Sequence, residues 1–241
     1  MENPMIAKIR EQVENRENGY VSTQASYSGV ALKEIILLAV VIASTFATWV
    51  SGYATPITTG VAGVMGLITC IAISFKPNWA PTLAPLYAIL EGMFLACATV
   101  VANSYFPGIV FQAVMITFGI AVAAAFIYSK GFITVDSKFM RILSVAMIGL
   151  LFCYLGEFVL GYFFGVDFSF LQGGIIGIGV DVLILGLATM CLFTDYEVIK
   201  QAVESGADKS FEWYAAFSLL VTLVWVYIRV LDLLMMLRRE D

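Results

Sequence analysis

Residues 35–53 have the sequence IILLAVVIASTFATWVSGY, which contains no charged side chain. A helix needs about 20 predominantly apolar residues, each rising about 1.5 Å, to cross the hydrocarbon core of a bilayer. Six further runs meet this requirement, so the sequence predicts seven transmembrane helices. The seven runs are 35–53, 57–75, 83–104, 109–128, 139–164, 170–193 and 213–237.

The composition supports an all-α membrane protein. Hydrophobic residues make up 61% of the chain and charged residues 13%, whereas soluble domains contain about 45–50% and about 25%. Residues 1–34 are polar, and we expect them to form a cytoplasmic tail ahead of a seven-helix transmembrane domain at 35–241. A secretory signal would place its apolar core closer to the start, so we expect the first apolar run to be retained.

Several classes of function are disfavoured by the sequence. The chain has no histidine, which excludes His-based catalytic triads and His-ligated zinc. Its four cysteines are widely spaced within apolar runs and are interpreted as packing residues. The net charge of -5, without a basic cluster, argues against a nucleic-acid partner. The stretch GIGVD at 177–181 is one residue out of register with the GxGD motif of intramembrane aspartyl proteases. We therefore expect neither an enzyme nor a bound cofactor.

The distribution of Lys and Arg predicts the orientation, because cytoplasmic loops of membrane proteins are enriched in these residues. With the N-terminus in the cytoplasm, the outer loops after helices one, three and five carry none of them. A re-entrant last segment would return the C-terminus to the cytoplasm. The inner side collects ten basic residues: Lys8, Arg10, Arg16, Lys33, Lys76, Lys130, Lys138, Arg141, Lys200 and Lys209.

Four charged residues are predicted to meet in the outer half of the bundle. Arg229 and Asp232 are three residues apart and share a face of helix seven. Asp181 in helix six and Glu157 in helix five lie at similar depths. Charges within a bilayer are costly unless they are paired or hydrated, so each is a candidate functional residue. One base cannot neutralise three acids, which leaves either a structural ion-pair network or a site for a proton or cation.

A second set of polar residues is predicted near the inner ends of the helices. Asp195 and Glu197 end helix six on the inner side, and their spacing of two puts them on different faces of a helix. Together with Glu91 and Lys76 they are predicted to form an inner site for a proton or cation. Glu91 lies inside helix three, and the alternative for it is an interhelical hydrogen bond. Lys76 precedes helix three and is interpreted with Trp79 as an interfacial pair. Asp195 and Glu197 are candidate Ca²⁺ ligands, because Ca²⁺ binds six to eight oxygens; the alternative is a solvated helix end.

Two stretches are specific enough to indicate a family. They are APLYAILEG at 84–92 and EWYAAFSLLVTLVW at 212–225. They belong to longer similar stretches at 76–96 and 193–234, and further similar stretches occur at 26–38, 106–119 and 173–179. In these stretches, which occur in the expected order, the chain resembles the Bax inhibitor-1 family of membrane proteins, in its bacterial branch. The resemblance covers nearly the whole chain after the tail.

The resemblance implies a bundle of seven helices with the last helix at its centre. It also implies a pH-sensitive Ca²⁺ leak, in which aspartates of helices six and seven share a proton and hold the pore closed. The helix-six aspartate corresponds to Asp195, whereas the helix-seven position falls near Thr222, which is not acidic. The family's arginine near helix three corresponds to Lys76. Glu197 and Glu91 are then the candidates for the second carboxylate.

The charges of the last helix also depart from the family pattern. Relatives carry an acid followed by a base, whereas this chain has Arg229 followed by Asp232. Asp181 is unusual at its position in helix six. It is therefore predicted to be the compensating partner of Arg229.

Two functions remain after this comparison. The first is a leak of Ca²⁺, other cations or protons across a bacterial inner membrane, gated by carboxylate protonation, with Ca²⁺ as the transported ion. The alternative is a membrane regulator that binds a membrane protease or another membrane complex, using residues 1–30 as its contact. Both interpretations require a multi-pass protein embedded in a lipid bilayer, and neither fixes the oligomeric state.

Overall fold

The computed structural model describes residues 24–166, 168 and 174–240. Most of the predicted tail, residues 1–23, therefore lies outside the described residues. The described part of the chain contains seven helices that are long and apolar enough to cross a membrane. A short 3-10 turn at Pro77–Trp79 leads into the third helix. The helices are α1 Tyr27–Val50, α2 Pro56–Phe75, α3 Ala80–Tyr105, α4 Ile109–Ser129, α5 Ser137–Phe164, α6 Gly174–Glu204 and α7 Phe211–Glu240.

Two helices extend beyond their predicted bounds by eight residues or more. Ser26 caps α1 by accepting a hydrogen bond from the backbone N–H of Gly29, so the helix begins at Tyr27 and not at residue 35. The C-terminal end of α6 lies at Glu204, whereas the apolar run ends near residue 193. Hydropathy identifies the part of a helix that lies in hydrocarbon. It does not detect helical turns that continue into polar sequence.

The last helix occupies the centre of the bundle. In its most apolar window 44% of the residues are buried, against 6% in the corresponding window of α5. Ala215 and Leu219 belong to a core cluster shared with α4 and α6, whereas Ala216 and Leu220 belong to a second cluster shared with α1 and α3. A helix with buried apolar residues on more than one face is packed against neighbours on several sides. The predicted all-α bundle of seven helices is thus confirmed.

The closest helix pair is α1 with α3, which meet at Gly92. A Cβ at this position would lie 2.5 Å from the carbonyl oxygen of Val41. Two α1 hydroxyls bond to α3 carbonyls across the same contact: Ser44 Oγ donates to Ile89 O at 2.7 Å, and Thr45 Oγ1 donates to Gly92 O at 3.0 Å. Small residues and hydroxyls in this role are typical of helix packing in membranes.

The bundle has two ends, each formed by helix ends and the short segments between them. The tail-proximal end contains residues 24–27, 76–79, 129–137 and 204–211, and the distal end contains 50–56, 105–109 and 237–240. Leu143 is the single buried residue that the structure describes in α5. The apolar outer surface of α5, like that of α2, is suited to a lipid environment.

Candidate functional site

Asp195, on α6, is bonded to two hydroxyl groups of the central helix. Ser218 Oγ donates to one oxygen of its carboxylate and Thr222 Oγ1 to the other, each at 2.6 Å. Ser218 and Thr222 are four residues apart, so an α-helix presents both hydroxyls on one face. Thr222, at the position where the resemblance implied an acid, therefore solvates the aspartate as a donor.

The second carboxylate near Asp195 belongs to Glu34 of α1. Glu34 lies close enough to Asp195 for the two to interact electrostatically. It is buried, with 8% of its surface exposed, and neither of its carboxylate oxygens has a hydrogen-bond partner among the described residues. An ionised carboxylate in such a place is costly unless it gains a proton or a polar partner. Neither Glu197 nor Glu91 takes the place beside Asp195 that the sequence interpretation gave them.

Sequence reasoning missed Glu34 because it was assigned to the polar tail. The signal was nevertheless present in the spacing of the apolar residues. Val30, Leu37 and Val41 are buried together with Glu34, at intervals of three and four residues that define one helical face. A helix cap at Ser26 brings this face, and the acid on it, inside the bundle.

Few other ionisable groups lie near the Glu34–Asp195 pair. Tyr196 interacts electrostatically with both carboxyls and Cys191 with Asp195. Within the described residues, no Lys or Arg forms an ion pair with either acid. Repulsion between the two carboxyls is therefore relieved by a proton or by α7 hydroxyls and not by a basic side chain.

Glu197 faces a different neighbour. Its carboxylate accepts a hydrogen bond from Tyr128 of α4 at 2.6 Å and another from Gln201 at 2.8 Å. Because Asp195 is bonded to α7, the structure does not bring the two predicted Ca²⁺ ligands together. Among the residues described, no group of three or more His, Cys, Asp or Glu side chains could hold a metal ion. Both acids lie within α6 and not beyond its end.

Glu91 and Lys76 also have partners of their own. Glu91 hydrogen-bonds with Tyr87 one turn earlier on α3, and the Tyr87 ring packs edge-on against Phe217 of α7 with centroids 5.0 Å apart. The Lys76 ammonium lies 4.5 Å from the ring centroid of Trp79, the interfacial arrangement that the sequence suggested. The four residues predicted as one inner site are thus divided among separate contacts.

A buried ion pair joins the first and last helices next to Glu34. Lys33 of α1 is paired with Glu212 of α7, which is almost fully buried. Glu212 also accepts hydrogen bonds from the backbone N–H of Ser26 at 2.9 Å and from its hydroxyl at 3.1 Å. A Cβ at Gly29 would overlap the Glu212 carboxylate, so any larger residue there would displace that side chain from its present position. This tail clamp fixes the start of α1 against the start of α7.

Toward the distal end of the bundle, Arg229 lies between two carboxylates. Its Nη1 donates to Asp181 of α6 at 3.0 Å, and its Nη2 lies 2.8 Å from an oxygen of Asp232. These three residues and Glu157 of α5 line one cavity between α5, α6 and α7. The structure therefore brings Arg229, Asp181 and Asp232 into direct contact and places Glu157 beside them.

Seven apolar helices around a central last helix, with carboxylates in the interior, define a polytopic membrane protein with a polar core. Residues 3–239 match the model of the family described as Bax inhibitor 1 like, and the chain belongs to that family. The family membership expected from its sequence stretches is thereby confirmed. No curated protein and no solved structure gives a significant match.

Proposed function

We propose that the protein is a pH-sensitive leak for Ca²⁺ or other small cations, gated by the Glu34–Asp195 pair. The observation that carries this proposal is the placement of a buried acid on α1, Glu34, beside a partly buried acid on α6, Asp195, without a basic partner among the described residues. A pair of this kind serves a structural purpose poorly, because its ionised form destabilises the packed bundle.

Proton loss is the proposed trigger. With one proton between them, the two acids carry a single negative charge, which the hydroxyls of Ser218 and Thr222 solvate on Asp195. Loss of that proton leaves two negative charges in an interior where Coulomb repulsion is much stronger than in water. Repulsion between α1 and α6 would loosen both against α7 and admit water. The hydrated carboxylates would then attract Ca²⁺, which prefers oxygen ligands.

We further propose that the tail-proximal end faces the cytoplasm of a bacterial cell. The support is the distribution of Lys and Arg, ten of which fall on that side when the N-terminus is cytoplasmic. The Glu34–Asp195 pair lies toward this end and would respond to cytoplasmic pH.

Ca²⁺ flux into proteoliposomes containing the full chain tests the gate between about pH 5 and about pH 8. We expect flux to rise with pH in the native protein. Asp195→Asn and Glu34→Gln each leave at most one ionisable carboxyl, so both should stay at the low-pH rate throughout. Glu197→Gln is the matched control, because it removes a carboxylate from the same helix away from the pair, and it should keep the native pH profile.

Two results would exclude the gate. A native flux indistinguishable from protein-free vesicles at every pH would rule out the leak and leave the membrane regulator as the explanation. A native pH profile in both Asp195→Asn and Glu34→Gln would show that the leak is controlled elsewhere.

A further inference from the structure

A groove of about 230 Å³ opens on the side of the bundle between α1 and α4. Its rim includes Ile42 and Phe46 of α1 and Phe118 of α4, which are between 41% and 63% exposed. Its floor belongs to α3 and to the central helix, where Leu223 and Val224 are at most 8% exposed. The groove therefore connects the lipid-facing surface of the bundle with α7.

The lining of the groove offers no hydroxyl group to a ligand. The hydroxyls of Thr45 and Thr117 each donate to a backbone carbonyl, at 3.0 Å and 2.8 Å. Those of Thr99 and Tyr227 bond to each other at 3.1 Å. The described residues that line the groove include no charged side chain. Apolar cavities stay dry and bind apolar molecules, so hydrocarbon is the chemistry that fits this groove.

The length of the groove matches the hydrocarbon of one leaflet. Its lining on α1 extends from Trp49, near the distal end, to Leu38, eleven positions earlier, which is about 16 Å along the helix. The hydrocarbon core of a bilayer is about 30 Å thick, so one leaflet supplies about half of that length. Tryptophan is typical of the membrane–water interface, which puts Trp49 at the level of the headgroups.

We propose that the groove binds one acyl chain of a phospholipid from the distal leaflet. The chain enters sideways between α1 and α4 and lies against α7. Because the groove is continuous with the lipid-facing surfaces of both helices, the chain reaches it without leaving the membrane, and its methylenes supply the contacts that an unfilled apolar groove would lose. Leu223 follows Thr222 in α7, so the bound chain packs beside the helical turn that donates to Asp195.

Photocrosslinking of the full chain in phosphatidylcholine vesicles tests this proposal. A small fraction of the lipid carries a diazirine near the methyl end of one acyl chain, and mass spectrometry locates the cross-linked residues. We expect labelling of Leu223, Val224 or Tyr227 on the central helix, besides exposed residues such as Leu151 of α5. Lipid that merely surrounds the bundle would reach Leu151 and not the floor of the groove.

Two substitutions in α4 separate the groove from the surface beside it. Val114 lines the groove, so Val114→Trp should fill it and remove the labelling of α7 while keeping that of Leu151. Met115→Trp is the matched control, because the Met115 side chain is exposed and lies outside the lining. It should keep both labels. If Val114→Trp also loses the Leu151 label through misfolding, the smaller Val110→Phe replaces it.

Three results would overturn the proposal. One is labelling of exposed residues without labelling of α7 in the native chain, and another is equal labelling of α7 in Val114→Trp and Met115→Trp. The third is labelling of α7 by a diazirine-bearing free fatty acid but not by the phospholipid, which would exclude phospholipid as the source. The outcome is independent of the leak, because the readout needs no ion flux and no variant changes Glu34 or Asp195.

Discussion

Thr222 and Glu34 together define the surroundings of Asp195. A threonine in α7 donates to Asp195, which an ionised carboxylate at that position could not do. The second acid comes instead from α1, at Glu34. Asp195 thus has a neutral donor on α7, and its electrostatic repulsion is with an acid of α1.

Thr222→Val should therefore destabilise the protein, because it removes the donor to Asp195 while keeping the shape of the side chain. Leaving a buried acceptor unsatisfied costs about 1–3 kcal/mol. The apparent free energy of unfolding in detergent measures the loss. Thr189→Val is the control, since the Thr189 hydroxyl bonds to the Leu185 carbonyl of its own helix. Equal stability of the two variants would contradict a specific contribution from Thr222.

At the scale of helices, the contact between α1 and α3 depends on the absence of a side chain at Gly92. The nearest obstacles to a Cβ there include the backbone of Val41 and Thr45, which cannot rotate away. Gly92→Ala should separate the helices and cost about 1–3 kcal/mol. A fall in melting temperature in detergent would report this loss.

Gly149→Ala provides the comparison for Gly92→Ala. No heavy atom lies within 4 Å of a Cβ built at Gly149, so alanine there should be neutral or slightly stabilising through its better helix propensity. If Gly92→Ala melted at the same temperature as Gly149→Ala, the tight approach of α1 to α3 would be refuted.

The number of helices was predictable from the sequence, because long apolar runs have few alternatives in a membrane protein. The ends of α1 and α6 were not, since caps and polar turns carry little hydropathy signal. Because the start of α1 was predicted eight residues too late, Glu34 was assigned to the tail and was not recognised as the partner of Asp195. Arg229 and Asp181 were paired correctly in advance, because a charge deep in an apolar helix narrows the choice of partners.

For the molecule as a whole, orientation is the next property to measure. Lys130→Cys and Pro107→Cys, each in a background where the four natural cysteines are Ser, place a thiol at opposite ends of the bundle. We expect a membrane-impermeant maleimide to label residue 107 in intact cells and residue 130 only after permeabilisation, following the positive-inside bias. The reverse pattern would place the tail-proximal end outside.

The clamp between Lys33 and Glu212 has a consequence for biosynthesis. These residues are 179 positions apart, so the ribosome synthesises α1 long before the residue of α7 that pairs with Lys33. Until α7 has been synthesised, Lys33 lacks its ion-pair partner Glu212, and the central helix is absent from the surroundings of Glu34. The other helices can therefore pack around α7 only late in synthesis. We expect chains that end before α7 to expose an unpaired lysine and glutamate, which makes them substrates for membrane proteases.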